Sequence, residues 1–258
     1  MVAPRAGSLT RSALGEFPPN PTIIHPLVRL GGLSEAPARL PTGLDPVDRL
    51  LEGGFPRGRL SEISGPVSSG RTSLALALAA AATRAGEVAA WLDVANAFDP
   101  ASAQAAGIDL DRLLWIRDSR LREALEGAER LLAAQGFVLV VLDLCRGVEP
   151  GAARALGTPT WLRLARAAAA SGTALVVLGR DRFVGSHAAL AVDLRATRLR
   201  FATSPEWLEG LETRVVLARH RLGSAEGFAP VHWKVPPLAR GMPLRAGSAC
   251  GGGGASAS

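Results

Sequence analysis

A glycine-framed loop constrains the fold of this chain more than any other stretch. It runs from Gly65 to Ser73 and reads Gly-Pro-Val-Ser-Ser-Gly-Arg-Thr-Ser. In a phosphate-binding loop, backbone N–H groups surround the phosphates, a lysine reaches the β- and γ-phosphates, and the next hydroxyl holds Mg²⁺. Here Arg71 stands where the lysine is expected. The sequence thus predicts an altered phosphate-binding loop, and its candidate nucleotide-binding residues are Gly65, Ser68, Ser69, Gly70, Arg71, Thr72 and Ser73.

The residues around the loop alternate between dense apolar runs and amphipathic stretches. Strands are predicted at Arg59–Ser64, Val88–Leu92, Phe137–Leu142 and Ala174–Leu178, and helices at Asp45–Leu51, Ser73–Ala85, Leu121–Gln135 and Trp161–Ala170. Apolar runs separated by helices are typical of parallel strands that are buried on both faces. Beyond Val192, alternation predicts antiparallel strands at Asp193–Leu199 and Arg214–Leu222, and another that ends at His232–Trp233. We expect an α/β fold with a mostly parallel twisted sheet, helices on both faces and antiparallel strands at the C-terminal end.

Composition divides the chain into three parts. Residues 1–26 carry five prolines, which resist a long helix, and are predicted to form a flexible arm. Residues 27–235 are predicted to form the core, which begins with a short strand at Leu27–Leu30. Residues 236–258 end in a Gly/Ser-rich run and are predicted to be a disordered tail.

Charge and cysteine content narrow the classes of function. The net charge is +6, and residues 195–258 hold nine Arg/Lys against four Glu, so this third favours nucleic acid or an acidic protein partner. Cys145 and Cys250 lack partners at metal-like spacing, and Cys145 is expected to be a buried thiol at a strand end. No run approaches the ~20 apolar residues of a membrane helix. We therefore expect a cytoplasmic protein without membrane contact, and nucleoid association stays open.

Asp143 follows the apolar run Val138–Leu142. Nucleotide sites of this type lie at the carboxyl ends of parallel strands, where a carboxylate orients Mg²⁺. Asp143 is therefore the candidate acidic residue of the site. Thr72 and Asp143 are the candidate metal ligands if ATP with Mg²⁺ binds at all.

Several collinear segments between residues 27 and 233 resemble the ATPase core of the bacterial recombinase RecA. They are Leu40–Asp45, Gly53–Arg59, Glu62–Gly70, Asp99–Pro100, Gly107–Leu114, Glu212–Val215 and Arg219–Arg221. The resemblance implies a RecA-like P-loop NTPase core. It also implies that Arg219 and Arg221 replace the paired lysines on the strand that reaches the neighbouring subunit's nucleotide.

The departures from this family fall on its catalytic positions. The glutamate that activates water is replaced by Ala95, which cannot accept a proton, and losing a general base typically costs ~10²–10⁴-fold in rate. Asp93 or Asn96 could orient water instead, although each is displaced along the strand. Ser102 replaces the aromatic ring that packs on adenine, and Arg180 replaces the polar γ-phosphate sensor. The resemblance therefore implies no catalytic residue and little or no hydrolysis of ATP.

The family's DNA-binding loops are reduced as well. The second loop has shrunk to Arg182–His187, and the first corresponds to the short stretch Gly147–Arg154. Candidates for contact with DNA or with a protein partner are Arg182, His187, Arg195, Arg198, Arg200 and Trp207.

Within the family, this pattern of loss is most similar to the ImuA-like (SulA/RecA-related) proteins. It implies a non-enzymatic accessory protein or scaffold in SOS-type translesion synthesis, which binds an error-prone polymerase homologue (ImuB-like), RecA or both, with weak DNA binding at most. The alternative is an active DNA-dependent ATPase of the recombinase or mediator type. A third hypothesis is a site that binds nucleotide without hydrolysing it.

Overall fold

The computed structural model describes residues 37–118, 120–145, 156–201, 208–223 and 225–234. The strands in these residues are β1 (Arg39–Leu40), β2 (Phe55–Pro56), β3 (Leu60–Ser64), β4 (Ala89–Asp93), β5 (Leu113–Arg117), β6 (Leu139–Asp143), β7 (Ala174–Gly179), β8 (Leu190–Phe201), β9 (Leu208–His220) and β10 (Phe228–Lys234). The α-helices are α1 (Asp45–Leu50), α2 (Arg71–Arg84), α3 (Pro100–Ala105), α4 (Leu121–Ala134) and α5 (Thr158–Ser171).

Eight of these strands form one mixed sheet in the order β10-β9-β8-β3-β7-β6-β4-β5. The strands from β8 to β5 are mutually parallel, and β9 and β10 extend the sheet antiparallel. β1 and β2 form a separate antiparallel pair. The predicted α/β class, with antiparallel strands at the C-terminal end, is confirmed.

The central strands are buried on both faces, which explains their continuous apolar sequences. Along β6, Leu139 and Val141 belong to one hydrophobic cluster, whereas Val140 and Leu142 belong to the other. Alternate side chains of a strand point to opposite faces of the sheet. The first cluster includes buried residues of α1, α2 and α3, and the second includes buried residues of α4 and α5. Helices therefore cover both faces.

The strand β8 is longer than the parallel part of the sheet. It pairs with β3 through Leu190–Asp193 and continues to Phe201 with β9 as its partner. Every residue from Arg195 to Phe201 is exposed. We call this projecting hairpin, residues 195–201 of β8 and 208–214 of β9, the ribbon.

Most predicted elements within the described residues lie within about three residues of their expected bounds, but β9 begins at Leu208 and not at the predicted Arg214. The sequence pattern did not predict β5, the edge strand at the other end of the sheet from β10, whose residues are all half-buried or exposed. The predicted arm, the strand at Leu27–Leu30 and the tail lie outside the described residues. In the described part of the chain, no helix combines the length and apolar character needed to span a bilayer.

Candidate functional site

The glycine-framed loop joins β3 to α2, as its sequence predicts. Gly70 adopts φ +87° and caps α2, and no side chain caps this helix end. The first N–H groups of such a helix point outward and carry the positive end of the helix dipole, which favours anions. Thr72 is exposed and Ser73 half-exposed in the first turn. The backbone of an anion-binding loop is therefore present.

The C-terminal strands brace this loop from the side. The Thr213 hydroxyl donates to the Ser69 carbonyl at 3.0 Å. A Cβ on Gly70 would lie 2.4 Å from the indole nitrogen of Trp233, so only glycine fits there. Gly65 is equally confined, since its Cβ would lie 2.6 Å from the Leu194 carbonyl oxygen.

Arg71 turns back into the loop. Its side chain is buried, with 7% of the residue exposed. Nη1 donates to the Gly65 carbonyl at 2.8 Å and also to the Pro66 carbonyl, and Nε donates to Sγ of Cys145 at 2.9 Å. Two of the three guanidinium nitrogens therefore hold protein groups. An extended lysine would instead offer its ammonium to phosphate.

Asp143 lies at the end of β6, beside this arginine. Its Oδ1 accepts from the backbone N–H of Cys145 at 3.0 Å. Burial raises the pKa of the Asp143 carboxyl above its ordinary value, despite the Cys145 N–H and the nearby Arg71 guanidinium, which both lower it. Burial likewise raises the pKa of Cys145 to about 12, so its thiol stays protonated at neutral pH. Cys145 is the buried thiol at a strand end that the sequence predicts.

Asp93 ends the neighbouring strand β4, but it is committed to the backbone. Its Oδ1 accepts from the N–H groups of Ala95 and Ala97 at 3.2 and 3.0 Å, and its Oδ2 accepts from Phe98 N at 2.8 Å. Asp93 is 1% exposed. The suggestion that Asp93 orients water is therefore not favoured by its geometry, because the carboxylate holds the turn that follows β4. Asn96 lies exposed at φ +51° in that turn.

Ser102 serves as the partner of a helix cap. Its N–H and its hydroxyl both donate to Oδ2 of Asp99, at 3.0 and 2.5 Å, at the start of α3. The hydrogen bonds from Ser102 lower the pKa of the Asp99 carboxyl. The position thus contributes to a local turn, and it offers no ring on which a base could stack.

A cleft of about 260 Å³ lies on the other side of the loop. It is lined by residues 64–66, 180–182 and 193–195. Arg182 forms a bidentate pair with Asp193, with Nε–Oδ1 and Nη2–Oδ2 distances of 3.0 and 2.5 Å, and the Ser64 hydroxyl also donates to Asp193. Burial raises the pKa of Asp193, but these hydrogen bonds outweigh it and lower the pKa below its ordinary value. Arg180 is exposed at the rim.

Glu62 makes a contact at this cleft that sequence reasoning missed. Its Oε1 accepts from Val184 N at 3.0 Å and from Phe183 N, so it anchors the short segment after β7. Burial raises the pKa of the Glu62 carboxyl, against the lowering by these N–H groups. The available signal was an acidic residue inside an otherwise buried strand. Sequence reasoning also missed the contacts of Asp193, because its partners lie elsewhere in the sequence.

The remaining candidates lie away from the loop. Arg219 and Arg221 are near the start of β8, because His220 pairs with Leu190 and the Arg221 N–H donates to the Ala189 carbonyl. The start of β8 is at the opposite end of the parallel strands from the loop. In this chain they do not join the Gly65–Ser73 site, and contact with a neighbouring subunit's nucleotide stays a prediction.

The candidates for contact with DNA or a partner are mostly accessible. His187 is half-buried, and Arg195, Arg198 and Arg200 are exposed. The segment between β7 and β8 is short, as predicted. Trp207 and the stretch Gly147–Arg154 lie outside the described residues.

The residues at the loop do not fit a hydrolysing ATP–Mg²⁺ site. The cation that should reach the phosphates is held by the carbonyls of Gly65 and Pro66, and no side chain at Ala95 can take a proton. Asp143 is 6% exposed, and its Oδ1 accepts from the backbone N–H of Cys145. Among the described residues, no group of three or more His, Cys, Asp and Glu side chains could hold a metal ion.

The loop and the parallel sheet together define the class of P-loop α/β domains. Residues 27–155 match the RecA N-terminal domain family, which is half of the chain. The chain belongs to the RecA family.

Individual relatives agree with this assignment. RecA of Picosynechococcus sp. is 39% identical over 127 residues, which cover 49% of this chain and 36% of that protein. RecA of Acidothermus cellulolyticus is 43% identical over 128 residues, which cover 49% of this chain and 37% of that protein. The match thus spans little more than a third of the length of these relatives. The crystal structure of the RadB recombinase superposes with a TM-score of 0.60 at 21% identity, over 76% of this chain and 96% of that one, which supports the fold.

Proposed function

We propose that this chain is a non-enzymatic accessory protein of the RecA family that acts as a scaffold in SOS-type tolerance of DNA damage. It keeps the fold of the ATPase core without turnover. In this role it binds an ImuB-like, error-prone polymerase homologue, RecA or both, in the cytoplasm or at the nucleoid. The observation that carries the proposal is the position of Arg71, whose guanidinium is hydrogen-bonded within the loop.

Three further features support the loss of turnover. Ala95 removes the general base, the Asp93 carboxylate is occupied by three backbone N–H groups, and Ser102 donates to the helix cap Asp99. These changes affect separate segments, so no single reversion restores the site. A protein that keeps such a domain without its chemistry has a use for its surface, which is the reason to propose a scaffold.

The alternative function is a working DNA-dependent ATPase of the recombinase or mediator type. The uncapped N-terminus of α2 and the proximity of Asp143 to the loop favour it, because both belong to a phosphate site. The two proposals differ in the turnover of ATP. We expect no hydrolysis above background, with or without single-stranded DNA. Steady turnover that Asp143→Ala abolishes would establish the alternative.

Binding without hydrolysis has its own test. Calorimetric titration with ATP and Mg²⁺ reports retained nucleotide, and the Arg71→Lys variant replaces the guanidinium that the loop carbonyls hold with an ammonium of the kind that reaches phosphate in this type of loop. We expect the lysine variant to bind more tightly than the natural chain. If neither binds millimolar nucleotide, the loop has a structural role only.

The partners are tested by co-purification of the tagged chain from DNA-damaged cells. The proposal expects a polymerase homologue or RecA among the captured proteins, at levels that rise with damage. DNA contact through Arg195, Arg198 and Arg200 would weaken with salt, with a logarithmic slope of about −0.7 per phosphate contact on single strands. Capture of neither protein, together with steady ATP turnover, would reject the scaffold role.

A further inference from the structure

Among the residues that the structure describes, the β8 strand of the ribbon has an open edge. β8 pairs with β3 only as far as Asp193, which lies opposite Ser64. From Arg195 to Phe201, β9 is the hydrogen-bonded neighbour of β8 that the described residues supply. At about 3.3 Å per residue, this open edge is roughly 23 Å long. Unpaired N–H and C=O groups on such an edge are a template for another strand.

The ribbon also exposes large apolar side chains. Leu199, Phe201 and Leu208 are 53%, 57% and 42% exposed, respectively. Leu199 lies opposite Leu211, and Phe201 lies opposite Leu208, so these side chains form apolar cross-strand pairs. A long exposed edge with apolar residues is a hazard for aggregation unless something covers it.

The arginine-lined cleft lies at the base of this edge. Ser64 to Pro66 and Asp193 to Arg195 form its walls, at the point where β8 leaves β3. Arg182 is neutralised there by its bidentate pair with Asp193. Arg180, Asp181 and Arg195 are the other charged residues of the lining, so beside the Arg182–Asp193 pair two guanidinium groups stand against one carboxylate, and the cleft keeps a net positive charge to offer to an acidic side chain. Farther along the strand, Arg198 is exposed, and Arg200 is 3.5 Å from Glu212.

We propose that the open edge of β8, from Arg195 to Phe201, docks an extended acidic segment of a partner protein, which adds a strand to the sheet and places a carboxylate in the arginine-lined cleft. The inference rests on the proposed function insofar as a scaffold needs a protein partner. A peptide backbone matches the unpaired edge groups, alternate apolar residues match Leu199 and Phe201, and acidic residues match the arginines. Nucleic acid would satisfy the charges alone.

The direct test uses a synthetic probe on the full chain. A fluorescein-labelled peptide of alternating glutamate and valine, long enough to span residues 195–201, is titrated and followed by anisotropy. A peptide of alternating lysine and valine is the control for charge. We expect the acidic peptide to bind at least about tenfold more tightly, because several charged pairs form along the edge.

Backbone pairing is tested with N-methylated probes. A strand added at one edge uses the N–H groups of alternate residues only. Methylation of one alternate set of the peptide should abolish binding, whereas methylation of the other set should leave most of it. Equal effects of the two sets would overturn strand addition.

Variants of the chain locate the site. Arg180→Glu, Arg195→Glu and Leu199→Asp should each weaken binding of the acidic peptide by about tenfold or more. Arg130→Glu makes the same charge change on the exposed side of α4 and should leave binding unchanged. Circular dichroism melting of each variant shows whether the fold survives. Arg180, Arg195 and Leu199 are exposed or at the rim of the cleft, so we do not expect their substitution to unfold the chain.

Other results would overturn the proposal. One is that the acidic peptide binds no better than the lysine peptide. Another is that the variants lower the binding of an oligo-dT strand and not the binding of the peptide, which would assign the ribbon to nucleic acid. The outcomes stay distinct from those of the proposed function. If the ribbon variants still capture the polymerase homologue, the docking surface is wrong and the scaffold role stands. If the chain turns over ATP while the acidic peptide binds at the ribbon, the scaffold role is wrong and the docking surface stands.

Discussion

Nε of Arg71 lies 2.9 Å from Sγ of Cys145, although the two residues are 74 positions apart in the sequence. This contact joins the loop after β3 to the segment after β6. The arginine here links two parts of the protein to each other. Its side chain therefore closes the loop onto the segment after β6.

Removal of the Arg71 side chain should destabilise the fold. Arg71→Ala eliminates the hydrogen bonds to Gly65 and Cys145 and leaves buried acceptors unpaired, for which we expect a loss of about 2–3 kcal/mol in the free energy of unfolding. Arg71→Lys should cost less, because an ammonium can still reach one carbonyl. Urea unfolding of both variants measures the losses.

The control for Arg71 is Arg130→Ala, which removes an exposed arginine from α4. Its cost should stay within about 0.5 kcal/mol, as for most surface substitutions. If Arg71→Ala proved equally mild, the guanidinium would not hold the loop, and the argument for a closed site would fail.

Asp93 should be structurally essential to the turn that follows β4. Asp93→Asn replaces one acceptor oxygen by an NH₂ group, which cannot accept from Phe98 or from Ala95 and Ala97, and should cost about 2 kcal/mol. Hydrogen exchange of residues 94–98 should quicken with the loss. Asp111→Asn, an exposed control that lies in a 3-10 turn, should change neither quantity. If hydrogen exchange of residues 94–98 were unchanged in Asp93→Asn, the carboxylate would not hold the turn, and Asp93 would again be a candidate for orienting water.

The fold was predictable because its signals are local. The buried strands β4, β6 and β7 are dense in apolar residues, β3 alternates apolar and polar residues, and the glycines of the loop mark the turn into α2. β5 carried a weaker signal, since an edge strand that is half-exposed needs no apolar run. Sequence periodicity therefore predicted the buried strands and the helices that cover them, but it missed the edge strand β5.

The site was predictable in its residue types but not in their directions. The sequence shows that Arg71 replaces a lysine, yet the rotamer of Arg71 depends on Cys145, which another strand delivers. Likewise, Arg182 looks available for DNA until β8 brings Asp193 to it. Contacts of this kind depend on tertiary packing, which a single sequence does not encode locally.

Gly70 should tolerate no larger residue because of Trp233. A matched pair of substitutions separates backbone strain from steric conflict. Gly86 has φ +84° and no atom within 4 Å of the point where a Cβ would lie, whereas Gly70 has φ +87° and the indole nitrogen 2.4 Å from that point. Gly86→Ala should cost about 1–2 kcal/mol from its left-handed conformation alone. Gly70→Ala should cost roughly 2 kcal/mol more in urea unfolding, since packing must shift.

A double substitution checks the origin of the extra cost. In a Trp233→Ala background, Gly70→Ala should cost no more than Gly86→Ala, because the conflicting indole is gone while the backbone strain remains. Chemical unfolding of the four combinations gives the coupling energy. A coupling near zero would mean that Trp233 does not brace the loop.

Cys145 should make stability fall at alkaline pH. Its pKa rises from 9.0 to about 12 because burial disfavours the thiolate. In the unfolded chain the thiol ionises near pH 9, whereas in the folded chain it stays protonated, so rising pH lowers the free energy of the unfolded state relative to the folded state. The contribution of the protonated Cys145 thiol to the free energy of unfolding is fully present below pH 9. It is lost progressively up to about pH 12, by at most about 1.4 kcal/mol per pH unit. Between about pH 8 and pH 10.5, the natural chain should lose about 2 kcal/mol more than Cys145→Ala, as urea unfolding at each pH would show. Parallel losses in the two chains would place the thiol in contact with water and remove Cys145 from the closed site.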